Sequence, residues 1–200
     1  MNTIIDDIKR LVEKLMGNDF AHGYPHVARV RRYAWLIVDN EGLNIDETVL
    51  ELAVLLHDIG RRIGEPHAYY SALLARSILA EKGVPANKIE KITNAILYHS
   101  FSYARRNNIE PLSDEAKVLS DADKLDALGV VGLVRVFLFG AEHNRGFEDS
   151  IKHFREKIFR LKDLMHYQYS RRLARELTMR TRKALEMLLE ETGYKEQWKI

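Results

Sequence analysis

Apolar residues recur at three- and four-residue intervals along nearly the whole chain, and no stretch alternates convincingly with period two. That spacing predicts an all-α protein. Helices are expected over 3–16, 25–42, 44–60, 67–81, 85–99, 113–128, 130–139, 149–161 and 165–191. The punctuation agrees: Pro25 suits a first helical position, Gly42 and Gly83 suit helix ends, and Asn44 followed by Glu47 reads as a capping box, with Ser113 as a later N-cap. The stretch GAEHNRG (140–146) reads as an ordinary connector that could also serve as a lid. The chain has 200 residues, 46% of them apolar, and neither a low-complexity linker nor a repeat. A single domain over 1–200 is therefore expected, a helical bundle with its core over about 20–130 and C-terminal helices, about 149–191, packed on it.

Several classes drop out on composition. There is no apolar run of the ~18 residues needed to cross a bilayer, and MNTIIDDIKRLVEKL is acidic and amphipathic where a signal peptide is basic and then apolar. A cytoplasmic protein without a membrane partner is expected. The absence of cysteine excludes disulfides, thiolate nucleophiles and Cys-ligated zinc, leaving His and carboxylates as the strong metal ligands. Net charge is +2, with 13 Lys/Arg against 7 Asp/Glu in residues 151–200. That basic end can attract an anionic ligand.

Against this background AVLLHDIGRRIG (53–64) is odd, because His57 and Asp58 follow four apolar residues bound for a core. Helical neighbours show that other polar residues share the pattern. His26 lies on a face with Val30, Tyr33 and Ile37, and His67 with Ser71, Leu74 and Ile78. His99 completes the series Ile89, Ile92, Ile96, and Asp121 lies with Val118, Leu125 and Leu128. A lone inward His is usually a hydrogen-bonded core residue. A buried carboxylate is harder to dismiss, since without a partner it costs several kcal/mol. Asp58 and Asp121 each need a cation or a dense set of donors, and a divalent metal shared with imidazoles from other helices supplies one. Two imidazoles and two carboxylates suit Mn²⁺, Fe²⁺, Co²⁺, Ni²⁺ or Zn²⁺ and leave positions open for water or substrate.

His26, the adjacent His57-Asp58, and Asp121 resemble the ordered H…HD…D signature of the HD superfamily of metal-dependent phosphohydrolases, and HDIGR resembles its HDIG(K/R) core. The segments HVARV (26–30), AILYHS (95–100), DADKLDALG (121–129), VGLVR (131–135) and HFREKIFRLKDLMH (153–166) are similar to successive blocks of a subgroup of small stand-alone HD proteins. The resemblance covers about residues 20–190. It implies an HD-type helical bundle around a metal held by His26, His57, Asp58 and Asp121, with manganese the first choice and Mg²⁺, Co²⁺, Ni²⁺, Fe²⁺ or Zn²⁺ as alternatives. It also implies hydrolysis of a phosphate ester or anhydride, at least one relative being a nucleotide pyrophosphohydrolase. One departure stands out: many relatives carry Asp where this chain has Gly23. Some HD enzymes add two His between the HD pair and the last Asp to bind a second metal. His67 and His99 are the candidates here, with a substrate-contacting imidazole as the competing role for His99.

In such a site the metal activates water for attack on phosphorus, Asp58 accepts a hydrogen bond from that nucleophile, and fixed cations meet the developing charge. Arg61 and Lys124 are best placed by sequence, although Lys124 also suits an i,i+3 ion pair with Asp121. Arg135, Lys157 and Lys162 are weaker candidates for a polyphosphate chain. The substrate expected is a small phosphate compound, nucleotide above others. Two rival readings are a regulatory module that keeps metal or nucleotide without turnover, and a nucleic-acid-binding protein using the basic C-terminal helices. The complete ligand set speaks against the first. The second lacks any recognisable module or aromatic interleaving.

Overall fold

The computed structural model describes residues 2–194, all of whose regular structure is helical. Ten α-helices follow in order: α1 (Asn2–Met16), α2 (Tyr24–Glu41), α3 (Glu47–Leu56), α4 (His67–Glu81), α5 (Ala86–His99), α6 (Phe101–Arg106), α7 (Asp114–Asp126), α8 (Gly129–Glu142), α9 (Phe147–Glu156) and α10 (Gln168–Glu191), with a 3-10 stretch, Ile158–Leu164, before the last. The chain divides into two compact units, the first ending at Asp123 and the second beginning at Lys124.

The first unit is organised around α3. Every residue from Val49 to Leu56 is buried, including Glu51, and α1, α2, α4 and α5 all pack against this helix. A helix apolar on all sides has to be enclosed in this way. Glu51 is accommodated because Arg31 ion-pairs with it and Trp35 Nε1–H donates to it at 3.1 Å. The cap of α3 differs from expectation. Asp46, not Asn44, accepts from the backbone N–H groups of Thr48 at 3.1 Å and Val49 at 3.2 Å, while its other oxygen meets Lys88 at 2.7 Å. A carboxylate one residue before the helix reaches two of its orphan donors, and Asn44 lies too far upstream to do so.

The end of α3 is also earlier than expected. Regular helix stops at Leu56, and His57 to Ile63 continue as turns, so the HD pair sits just past the helix rather than inside it. Gly60 therefore terminates nothing. Its role is close approach: a Cβ there would collide with the backbone N of Ser71 and lie 2.6 Å from the carbonyl carbon of Tyr70 on α4. Gly60 N–H in turn donates to Ser71 Oγ at 2.9 Å. Gly60→Ala is expected to cost about 2–3 kcal/mol, because backbone on both sides of the contact has to move. A denaturant titration that finds the variant as stable as the parent would contradict that packing.

Within the second unit α8 packs on α9 and α10, and the 3-10 stretch bridges α9 and α10. The single helix expected over 149–161 is interrupted at Lys157, whose φ of −127° and ψ of −59° leave helical space. Helix α8 runs further than expected and takes in Gly140. A Cβ on Gly140 would lie 2.8 Å from Ser150 Oγ, so this glycine is a packing contact with α9 rather than a lid hinge. The short helix α6 was not anticipated, because six residues carry too little periodicity to separate helix from turn.

Candidate metal centre

Four elements of the first unit converge on Asp58. Helix α2 presents His26 from its first turn, the turn after α3 presents His57 and Asp58, and the start of α4 and end of α5 present His67 and His99. His26, His57, Asp58 and His99 are buried, Asp58 to 1% exposure. Asp58 Oδ2 lies 3.6 Å from His26 Nε2 and 3.9 Å from His57 Nε2, and its Oδ1 lies 3.5 Å from His67 Nε2 and 3.7 Å from His99 Nε2. One carboxylate thus faces four imidazoles, two on each oxygen. Among the described residues two groups have ligand atoms within 4.8 Å of one another: His26, His57 and Asp58, and then Asp58, His67 and His99.

Backbone contacts orient the rings. His57 Nδ1–H donates to the Val54 carbonyl at 2.7 Å, and His99 Nδ1–H donates to the Ile96 carbonyl. A carbonyl can only accept, so in both residues Nδ1 carries a proton and Nε2 is the ring atom turned toward Asp58. His67 is set the same way by Glu65, whose carboxylate accepts from Nδ1 at 3.1 Å. Burial, only partly opposed by Asp58, pushes the His57 imidazole down to about 4. It is neutral at physiological pH, the state a metal ligand requires.

Burial works to raise the Asp58 carboxyl, but Arg61 and then His57 outweigh it and hold the group well below the usual carboxylate range. Arg61 grips it with a fork, Nε to Oδ2 at 2.9 Å and Nη2 to Oδ1 at 3.2 Å, and the same Nη2 lies 3.4 Å from His67 Nε2. The arginine expected to face substrate is therefore at the cluster and engaged with Asp58.

The second carboxylate of the cluster is one that sequence reasoning missed. Asp123 Oδ1, on α7, lies 3.5 Å from His26 Nε2. Burial acts to raise its carboxyl, yet His99, His26 and His57, in that order, hold it well below the carboxylate range. Neither Asp121, the residue put forward from the sequence, nor Asp123 belongs to the two ligand groups, and what favours Asp123 is its approach to His26. Asp121 is buried and acts on the Tyr98 hydroxyl, whose pKa is raised by burial first and then by Glu110 and Asp121. Two residues along a helix rotate a side chain by about 200°, so Asp121 and Asp123 point to opposite sides of α7. The face test failed here because α7 is enclosed nearly all round: Ala116, Val118, Leu119, Ser120, Asp121, Ala122 and Leu125 are all buried.

The remaining candidates lie in the second unit. Lys124 is buried, Arg135 Nη1 is 2.8 Å from Asp126 Oδ2 in a buried ion pair, Lys157 is exposed, and Lys162 lies 3.4 Å from Asp163. For Gly23 there is a local reason against a side chain. A Cβ there would lie 2.5 Å from Asp19 O and 2.8 Å from Gly17 O, where the chain folds tightly before α2.

The donor chemistry fits a divalent cation: imidazoles with Nε2 turned toward Asp58, hard carboxylate oxygens, and no thiolate. Comparison with known proteins agrees. Residues 23–128 match the family model of the HD domain. The uncharacterized protein YpgQ of Bacillus subtilis is 31% identical over 176 residues, 86% of this chain and 85% of its own. The crystal structure of YpgQ in complex with ADP matches with a TM-score of 0.76 at 26% identity, covering 95% of each chain. An HD-superfamily hydrolase of Bacillus thuringiensis matches with a TM-score of 0.71 at 26% identity, covering 96% of this chain and 98% of its own. With its ordered histidines and aspartates gathered on one buried carboxylate and more than half its length within the family model, this chain belongs to the HD-domain family.

Proposed function

We propose that the chain is a metal-dependent phosphohydrolase acting on nucleotide phosphate anhydrides or esters. The observation that carries this reading is the position of Asp58, shared by two groups of ligand atoms. His26, His57, Asp58 and Asp123 would hold one divalent ion, and Asp58, His67 and His99 a second. A divalent ion bound there supplies Lewis-acid chemistry, polarising a phosphoryl oxygen and acidifying a water molecule. The chain's own residues do the rest. The Nδ1 contacts hold the His57, His67 and His99 rings, so little reorganisation of these three accompanies binding. Asp58 is the carboxylate placed to accept a hydrogen bond from an attacking water. Arg61, on the more open side of Asp58, is the cation positioned to meet charge on the phosphoryl oxygens. The ADP complex of the Bacillus subtilis relative favours a nucleotide.

Two measurements test this. Phosphate or pyrophosphate release from nucleoside mono-, di- and triphosphates is expected with Mn²⁺, Mg²⁺, Co²⁺ or Ni²⁺ present and absent after chelation. Metal bound without turnover on any of them would favour the regulatory module. Equilibrium titration is expected to give two Mn²⁺ per chain in the parent and one in His99→Ala; a parent that saturates at one ion rules the second site out.

A further inference from the structure

A recess of about 130 Å³ opens beside the cluster, lined by Met16, Asp19, His22, Gly23, Arg61 and Arg62. We infer that this recess receives a second phosphate group of the substrate, next to the phosphate that lies at Asp58, so that the chain prefers diphosphates and triphosphates over monophosphates. The inference rests on the phosphohydrolase reading above.

Continuity is the first argument. Arg61 lines the recess while its Nε and Nη2 hold Asp58, so a ligand reaching from one to the other stays on a single guanidinium. Size is the second. At about 30 Å³ of liquid volume per water, the recess has room for roughly four waters. That suits one small anionic group and falls well short of the ~300 Å³ or more typical of a site enclosing a whole small molecule. A nucleoside therefore has to lie elsewhere.

Charge is the third. Arg62 is exposed and makes no ion pair or hydrogen bond among the described residues, so its fork is available for phosphate oxygens. The one acid in the lining, Asp19, already accepts the His22 backbone N–H at 2.6 Å. Gly23 leaves that side of the recess without a side chain, and the contacts described above keep it so.

The test is calorimetric titration of the Mn²⁺-loaded protein with ADP, AMP and pyrophosphate, for the parent, Arg62→Gln and Arg62→Glu. The parent is expected to bind ADP at least about tenfold more tightly than AMP, and Arg62→Gln to remove most of that difference while leaving AMP unchanged. Arg62→Glu should weaken ADP and pyrophosphate further. Since Arg62 is exposed and unpaired, neither variant should impair folding. If both variants bind ADP like the parent, or lose ADP and AMP equally, the recess is not a phosphate subsite. If the metal-loaded parent binds none of the three ligands, the phosphohydrolase reading itself fails.

Discussion

Replacing Asp58 by alanine is expected to abolish metal binding at both ligand groups and to lower turnover by about a thousandfold or more. Losing an outer partner of a metal ligand typically costs about 10- to 100-fold, and Asp58 offers a ligand atom to each of the two groups proposed to hold metal. The effect on folding should be smaller. Breaking a fully buried ion pair costs roughly 3–5 kcal/mol, because the survivor is left charged and dry. Here the survivor is Arg61, whose side chain is 26% exposed and can turn toward water. Metal-free Asp58→Ala should therefore stay folded, with a stability loss below that range. Asp58→Asn separates shape from charge, since the amide fills the same space but is a poor metal ligand. Metal content by elemental analysis, circular dichroism and phosphate release on the same samples check this. A variant that is folded, metal-free and fully active would place the chemistry somewhere else.

Much of the candidate cluster was legible in the sequence, and the reason is physical. A His or Asp on an apolar helical face needs explaining: His26 and His99 are buried on the inward face that three-to-four spacing assigns them, and half-buried His67 brings its Nε2 to 3.5 Å from Asp58. The HD pair was legible for the same reason, although its backbone was not: His57 and Asp58 lie in turns after Leu56, and periodicity alone cannot mark a helix end four residues before the next glycine. The role of Gly60 was out of reach altogether. It depends on how closely α4 approaches, and that contact spans 11 residues of sequence. The cap of α3 illustrates a competition between two good candidates. Asp46 wins over Asn44 because its carboxylate is held by Lys88 as well as by the helix N–H groups, and Lys88 comes from α5.

Asp123 marks the sharpest limit, and it yields the second large expected effect. The two aspartates of DADKLD stand one residue apart, and burial does not separate them in a helix packed on nearly every side. What separates them is rotation about the helix, which sends Asp123 to His26 and Asp121 to the side of Tyr98. Asp123→Ala is expected to weaken metal binding and lower turnover by at least about 100-fold, with modest loss of stability, because Asp123 is partly open to solvent, its side chain being 28% exposed. Asp121→Ala should do the reverse. A fully buried carboxylate that is removed leaves its donors unpaired, at about 1–3 kcal/mol, while metal stoichiometry stays at the parent's value. Denaturant midpoints and Mn²⁺ titrations on both variants form a two-by-two comparison. If Asp121→Ala loses the metal and Asp123→Ala keeps it, the fourth ligand is Asp121 and the approach of Asp123 to His26 has no part in coordination.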